Sequence, residues 1–441
     1  MNYVAPNNIL EVLQKIEFNH ALDSTDGRYV DTRNARGDPG LTLKRLAKKF
    51  CLDLETGGFR PPDNKHILFF GHTGSGKTTE LRRYANELEG SERFFIVEVD
   101  IAEILDRNNL KFADAFMAMA QCLLFRLEEI ELHLKPKEIV DMARWFDERV
   151  LISDKLEEFK AEVETVAKGG ADLPWLIQLF GKFTTAFKAN TTYKDSLRHV
   201  IRNTFSDFAS AFNSLLRKVE ERLVLEGIAR KVLFIVDGTD KLKREDMEDL
   251  FQNDVEQLLG IDAAVVWTAS LSIKYSGSLT GRLDDDLVLP MIKLFNPDNN
   301  ERFEPGWDAM RAILLKRADR ALFDSEECIE RLVEYSGGHP RDLLRLLKLC
   351  CEFANDNHID SNTVDAAIKQ LAAEYRRHLQ SEDYKLLAAI KKDPWNVGND
   401  EPIQKLLHTL SLLEYNDGTW RCPHPVIRTL KGYERAEAAI A

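Results

Sequence analysis

The chain has 441 residues, 44% of them hydrophobic, and a formal net charge of −13, so it can bury a sizeable core in several domains, and its acidity argues against a protein that coats nucleic acid non-specifically. Its apolar stretches are too short to span a bilayer, and the opening MNYVAPNNIL lacks the basic-then-apolar order of a secretory signal. Six cysteines form no CxxC pair and have no metal-like spacing with histidine, so reduced thiols and a cytoplasmic setting are expected.

The first 58 residues read as an extension. DSTDGRYVDTRNARGDPG is polar and turn-rich, and LTLKRLAKKFCLDL after it is amphipathic, with Leu41, Leu43, Leu46 and Phe50 apolar. From His66 the pattern becomes strand, loop, helix: HILFF, GHTGSGK, then TTELRRYANELEG, where Leu81, Ala85 and Leu88 share a face and Gly90 supplies the stop. RFFIVEVD predicts a second strand ending at Asp100 and KVLFIVD a third ending at Asp237. AAVVWTAS (Ala263 to Ser270) and DLVLPMIKLF (Asp286 to Phe295) predict two more. Apolar runs of this kind, alternating with helices, predict a doubly wound parallel sheet.

Asp100 and Lys231 are too far apart for a single crossover, so a helical insertion is expected at about 102–229. Leu197, Ile201, Phe205, Phe208, Phe212, Leu216, Val219 and Leu223 recur at helical spacing before Gly227 and predict one long amphipathic helix; Leu156, Phe159, Val163 and Val166 mark another. Between them, Leu179, Phe183 and Phe187 read as a stripe packed inside the insertion, with a partner-binding surface as the alternative. Lys182 and Lys188 are too few for a membrane-surface helix. After Pro297 the pattern is helical, and from Ser381 two short helices precede a hairpin turning at Asn416, Asp417 and Gly418, an order that suggests a winged helix.

GHTGSGKT, Gly71 to Thr78, matches G-x-x-x-x-G-K-[ST] in full between a predicted strand and a predicted helix. Glycines at 71, 74 and 76 let the backbone curl, so that N–H groups along Gly71, His72, Thr73, Gly74, Ser75 and Gly76 face phosphates and the following helix directs its positive end at them. Lys77 is expected to bridge the β- and γ-phosphates of ATP and Thr78 to coordinate Mg²⁺, with Thr79 completing the binding set; His72 reads as filler at a variable position. Such a site needs a carboxylate on a neighbouring strand for the metal, and an apolar run ending in Asp downstream is where it is found. Asp237 is therefore read as the metal residue beside Thr78, not as part of a plain Asp-Gly turn.

GHTGSGKT, FIVDGTD, VVWTAS and YSGGHPRDLLRLL together resemble the AAA+/STAND group of P-loop ATPases, especially prokaryotic members close to the origin-recognition (Cdc6-like) ATPases. The resemblance implies an α/β P-loop NTPase fold: after the N-terminal extension (1–58), an AAA+-like parallel-sheet core over 59–297, an all-α lid over 298–379 and a C-terminal winged helix over 380–441. It does not cover the insertion or the first residues. It implies a sensor role for Thr268 or Ser270, either of which serves equally well as a cap for the next helix. It also implies a γ-phosphate sensor in Arg341, with Pro340 suited to the first turn of the lid helix. Arg282 lies where the family carries an arginine finger, and the three acids after it offer a local salt bridge as an equal account. Where motors place Glu after the metal Asp, this chain has Gly238. Its D-G-x-D form resembles the STAND version, making Asp240 the candidate base, with Lys241 where that pattern commonly has a second acid; slow hydrolysis is implied.

The leading expectation is thus a Mg²⁺-dependent ATPase acting as an assembly or regulatory switch, forming homo-oligomers and serving a partner or effector protein. Phage defence is a setting associated with the family, not one read from these residues. The alternative is a DNA-binding loader using the winged helix, yet from Ser381 onward eight Lys or Arg stand against nine Asp or Glu, a poor phosphate-binding balance. A small-molecule kinase lacks an acceptor motif, and a scaffold without hydrolysis is the remaining alternative.

Overall fold

The structure is a computed structural model that describes residues 3–18, 20–38, 40–105, 110–150, 173–189, 194–275, 283, 285–416 and 418–440. Arg282, Asp417, the Leu156 to Val166 stripe and the side chain of Phe187 lie outside the described residues.

Five parallel strands form the central sheet: β1 (Lys65–Gly71), β2 (Phe94–Asp100), β3 (Lys231–Asp237), β4 (Ala264–Ser270) and β5 (Asp285–Val288), in the order β2-β3-β4-β1-β5. Every residue of β3 and β4 is buried, which is why these strands read as continuous apolar runs rather than alternating ones. Their side chains divide between two cores. Leu68, Val97, Phe234, Val265 and Trp267 pack under the insertion, while Ile67, Phe69, Ile96, Leu233 and Val266 pack under the helices Leu41–Lys49 and Lys77–Leu88. Burying a side chain such as Phe234 contributes about 1.5–3 kcal/mol, so both faces hold the strand ends in place.

The fifth strand is shorter than the sequence predicts. It stops at Val288, and Leu289 makes one last bond from its N–H to the Phe70 carbonyl, 2.9 Å. Pro290 follows with no N–H to continue the ladder.

The long insertion helix is also two helices, Lys194–Asn203 and Phe205–Leu225. Thr204 breaks it: φ and ψ leave the helical region, and its hydroxyl donates to the Val200 carbonyl at 2.8 Å, the back-bonding that bends helices. The apolar face continues across the break, so period alone could not reveal it. Leu179 and Phe183 of the helix Leu173–Ala189 are buried, with Phe183 against Phe146; these two side chains are internal packing.

Four lid helices follow, Glu304–Leu315, Glu326–Tyr335, Pro340–Phe353 and Ser361–Arg376. The chain then forms the helices Ser381–Lys392 and Glu401–His408, an antiparallel pair β6 (Leu412–Tyr415) and β7 (Trp420–Pro423), and the final helix Lys431–Ile440. One apolar cluster includes Leu343 and Leu347 of the lid, Val426 and Tyr433 of the C-terminal unit, and Ile9 and Val12 of the first helix. Lid and C-terminal unit thus share a core, and the N-terminal helix packs into it.

Candidate nucleotide site

Gly71–Thr78 leaves the end of β1 and enters the helix Lys77–Leu88, so the loop sits at the carboxyl end of the sheet, where open parallel sheets collect ligands. Gly74 has φ +91°, and a Cβ there would lie 2.9 Å from the Arg341 side chain. Only glycine permits both the left-handed backbone and that approach of the lid.

Lys77 is buried, and its three ammonium donors have three acceptors within reach. Nζ donates to the carbonyls of Gly71 and His72, each at 3.0 Å, and lies 2.7 Å from Asp240 Oδ2. Burial pushes the Asp240 carboxyl up, but the Lys77 ammonium outweighs it and holds the group below the ordinary range. Asp237, at the end of β3, is shifted the other way: burial, reinforced by the Asp240 charge, raises it. Its Oδ2 accepts from Thr78 Oγ1 at 2.7 Å, while Asp237 Oδ1 and Asp240 Oδ1 are both buried with no hydrogen bond. A hydroxyl beside a carboxylate with an orphaned oxygen is an all-oxygen donor set, and Mg²⁺ fits it.

Gly238 has φ +85°, and a Cβ there would sit 3.3 Å from the Ala102 backbone nitrogen. A glutamate at this position would meet strain and crowding together. The turn that excludes it brings Asp240 round to Lys77 instead.

Thr268 and Ser270 both lie in β4, but neither lines the pocket over the loop. Thr268 is paired with Thr239, whose hydroxyl donates to the Thr268 carbonyl and whose Oγ1 lies 3.3 Å from Thr268 Oγ1. Ser270 caps the short helix Leu271–Lys274, accepting from the Ser272 N–H at 3.4 Å.

Gly74, Ser75, Gly76, Lys77, Thr78 and Thr79 line a pocket of about 910 Å³, counting its solvent-open mouth, together with Asp240, Lys241, Pro340 and Arg341. Its other wall is the N-terminal segment around Phe18, Leu22, Tyr29 and Thr32. Arg36 of that segment is buried, donating from Nη2 to the Ser75 carbonyl at 2.8 Å and from Nε to Thr32 Oγ1 at 2.9 Å. Leu22 N–H reaches Thr79 Oγ1 at 3.3 Å.

His72 and Thr73 face away from this pocket, toward the lid and the hairpin. His72 Nε2 accepts the Glu414 backbone N–H at 2.8 Å, and burial pushes its pKa well below the ordinary histidine value. On the next residue, the Thr73 carbonyl accepts from His339 Nε2 at 3.0 Å. His339 begins the lid helix that carries Arg341 and Asp342. Asp342 is fully buried between Arg345 Nη1 (2.7 Å), His424 Nε2 (3.1 Å) and the Tyr375 hydroxyl. Burial would raise its carboxyl, but the neighbouring His339 and His424 hold it well below the usual carboxylate range.

Arg36, His339 and Glu414 carry these contacts, and sequence reading did not single them out. Glu414 acts through its main chain, and Arg36 and His339 through main-chain acceptors far away in sequence. The arginines of RYVDTRNARG were the only visible signal.

A parallel sheet with a phosphate loop after β1 and an acid at the end of β3 decides the fold. The core is a P-loop nucleotide-binding fold. No family model matches the chain, and no curated protein matches it. Among solved structures it is similar to a mutant of Thermotoga maritima RuvB (14% identity, 92% of this chain and 94% of that one, TM-score 0.33). It is also similar to the Aeropyrum pernix ORC2 protein in ADPNP–ADP complexes (12% identity, 98% of each chain, TM-score 0.39) and to Cdc6p from Pyrobaculum aerophilum (12% identity, 99% of each chain, TM-score 0.38). The P-loop reading rests on strand order and loop geometry. No helix among the described residues is long and apolar enough to cross a membrane.

Proposed function

We propose that this chain binds ATP with Mg²⁺ at Gly71–Thr79 and works as a slow, nucleotide-operated switch of the AAA+/STAND kind. The observation that carries this reading is the 2.7 Å contact between Lys77 and Asp240. The Lys77 ammonium has all its donors engaged by the chain itself, so an incoming phosphate must take over a place that Asp240 holds. Thr78 and Asp237 would hold Mg²⁺, which supplies charge neutralisation at the phosphate oxygens. Asp240, released from Lys77, becomes free to accept a proton from the attacking water. Arg341, lying over Gly74, is placed to meet the terminal phosphate, and Thr268 would act only indirectly, through Thr239.

The output is carried by the lid and the C-terminal unit, which contact the loop at adjacent residues through His339 and Glu414. Rearrangement of the loop on binding strains both contacts, so ATP favours the arrangement in which they are loosened. Assembly with further copies or with an effector protein is the natural consequence of freeing such a unit, and phage defence is one setting for it. Arg282 as a finger toward a neighbouring copy belongs to the same proposal.

The DNA-loader reading gains no support. Glu414, Tyr415, Trp420 and Arg421 of the hairpin are buried in contacts within the chain, so its one arginine is not presented among the described residues. In this proposal the elements from Ser381 onward are a winged helix used for contacts within the chain. The test is nucleotide binding by calorimetry in wild type and Lys77→Ala: Mg²⁺-dependent ATP binding lost in the variant is expected, and equal binding would overturn the assignment.

A further inference from the structure

A second cavity lies on the far side of the Gly337–His339 turn from the phosphate loop. It encloses about 1470 Å³, counting its solvent-open mouth, and its walls come from three parts of the chain. These are the segment after the sheet (Leu294 to Pro297), the end of the lid helix at Glu334 and Gly337, and the C-terminal unit. Clefts where parts of a chain meet are a preferred place for small ligands.

Its chemistry is specific. Tyr415 and Trp420 stack face to face, with centroids 4.0 Å apart and planes within 8°. Trp395 leaves 45% of its surface exposed beside them. Trp420 is 6% exposed and its Nε1 is buried with no acceptor, an indole donor that costs stability unless something accepts from it. Lys391 and Arg428 line the cavity and have no ion-pair partner among the described residues; Lys392, also lining it, donates to the Ile440 carbonyl at 2.6 Å. Glu334 and Asp393 complete the charged lining, so cations outnumber acids by three to two. The exposed indole of Trp395 and the cations Lys391 and Arg428, which have no ion-pair partner among the described residues, suit one kind of occupant: a planar ring bearing negative charge.

We infer that this cavity is a ligand site for a small planar anion, with the chemistry shared by aromatic carboxylates and nucleoside monophosphates, and that its occupancy tunes the phosphate loop. The connection is short. The Tyr415 hydroxyl donates to the Gly337 carbonyl at 2.7 Å, two residues before His339, whose ring holds the Thr73 carbonyl. A ligand that fixes Tyr415 therefore fixes the turn that carries His339 and Arg341. Binding does not rest on the switch reading above; its effect on ATP does.

The test uses the full chain with ADP and Mg²⁺ saturating the phosphate loop, titrated calorimetrically with 2-naphthoate and, separately, with each of the four nucleoside 5′-monophosphates. Saturable binding of at least one probe is expected, weakened about tenfold in Trp395→Ala through lost stacking and in Arg428→Ala through lost charge. Both side chains lie outside the buried core, and circular dichroism checks that the variants fold. Binding retained in Lys77→Ala separates this site from the phosphate loop. A preference for the naphthoate or for one nucleotide tells the two sources apart. Absence of saturable binding by every probe at millimolar concentration, or unchanged affinity in both variants, overturns the site. Probe binding that leaves ATP affinity unmoved overturns the coupling alone.

Discussion

Lys77 Nζ and Asp240 Oδ2 stand 2.7 Å apart with both side chains almost fully buried. The pair joins the phosphate loop to the turn after β3 and sets the resting state of the site. Its geometry depends on Gly238, whose left-handed backbone places Asp240 opposite the ammonium.

Breaking one side of such a pair leaves the other charge buried, at about 3–5 kcal/mol. Lys77→Met is therefore expected to lower the thermal midpoint of the chain without nucleotide. Lys77→Met combined with Asp240→Leu is expected to recover much of that loss while still failing to bind ATP. Thermal unfolding of the single and double variants checks the order.

The two acids should separate kinetically. Asp240→Ala frees Lys77 and removes the candidate base, so ATP binding is expected to hold or tighten while turnover falls, about 10²–10⁴-fold for a general base. Asp237→Ala is expected to abolish the Mg²⁺ dependence of binding. Single-turnover hydrolysis beside Mg²⁺ titrations distinguishes the outcomes; an unchanged rate in Asp240→Ala removes that residue from the chemistry.

Arg341→Ala removes a side chain that lies against Gly74. If it meets the terminal phosphate as proposed, the expected result is loss of discrimination between ATP and ADP, about tenfold, with ADP affinity nearly unchanged. Paired calorimetric titrations of the two nucleotides measure it.

Acid should destabilise the protein through its buried histidines. Burial holds His72 and His424 below the ordinary histidine value of 6.5. Between that value and their folded values the unfolded chain takes up protons that the folded chain refuses, so stability falls as pH drops below about 6.5. Asp342 acts at lower pH: its depressed folded value gives stability above the ordinary carboxylate range that is lost on further acidification. His72→Gln keeps an acceptor for the Glu414 N–H but cannot titrate, and is expected to flatten the slope between about pH 5 and 6.5 in denaturant unfolding.

What could be read from the sequence was what is local in it. Asp240 entered only through the resemblance of D-G-x-D to the STAND pattern, whereas the phosphate loop and Asp237 were legible because spacing along a few residues dictates their backbone. The apolar runs gave the parallel sheet for the same reason, but Pro290 cut the last strand short and Thr204 divided a helix whose apolar period ran straight through it. The closure of the site was not legible. His72 looked like filler because its partner is a backbone N–H 342 residues away, and Arg36 and His339 likewise bond to main-chain groups that have no sequence signature. Ser270, one of two sensor candidates, is engaged as a helix cap.

The proposed switch requires ATP to change the state of the chain through the loop, the lid and the C-terminal unit. Sedimentation velocity with and without ATP and Mg²⁺, on wild type beside Lys77→Ala, tests it most directly. Wild type is expected to show a nucleotide-dependent change in mass or frictional ratio that the variant lacks. Identical sedimentation of wild type in both conditions, under concentrations where calorimetry records bound ATP, would contradict it.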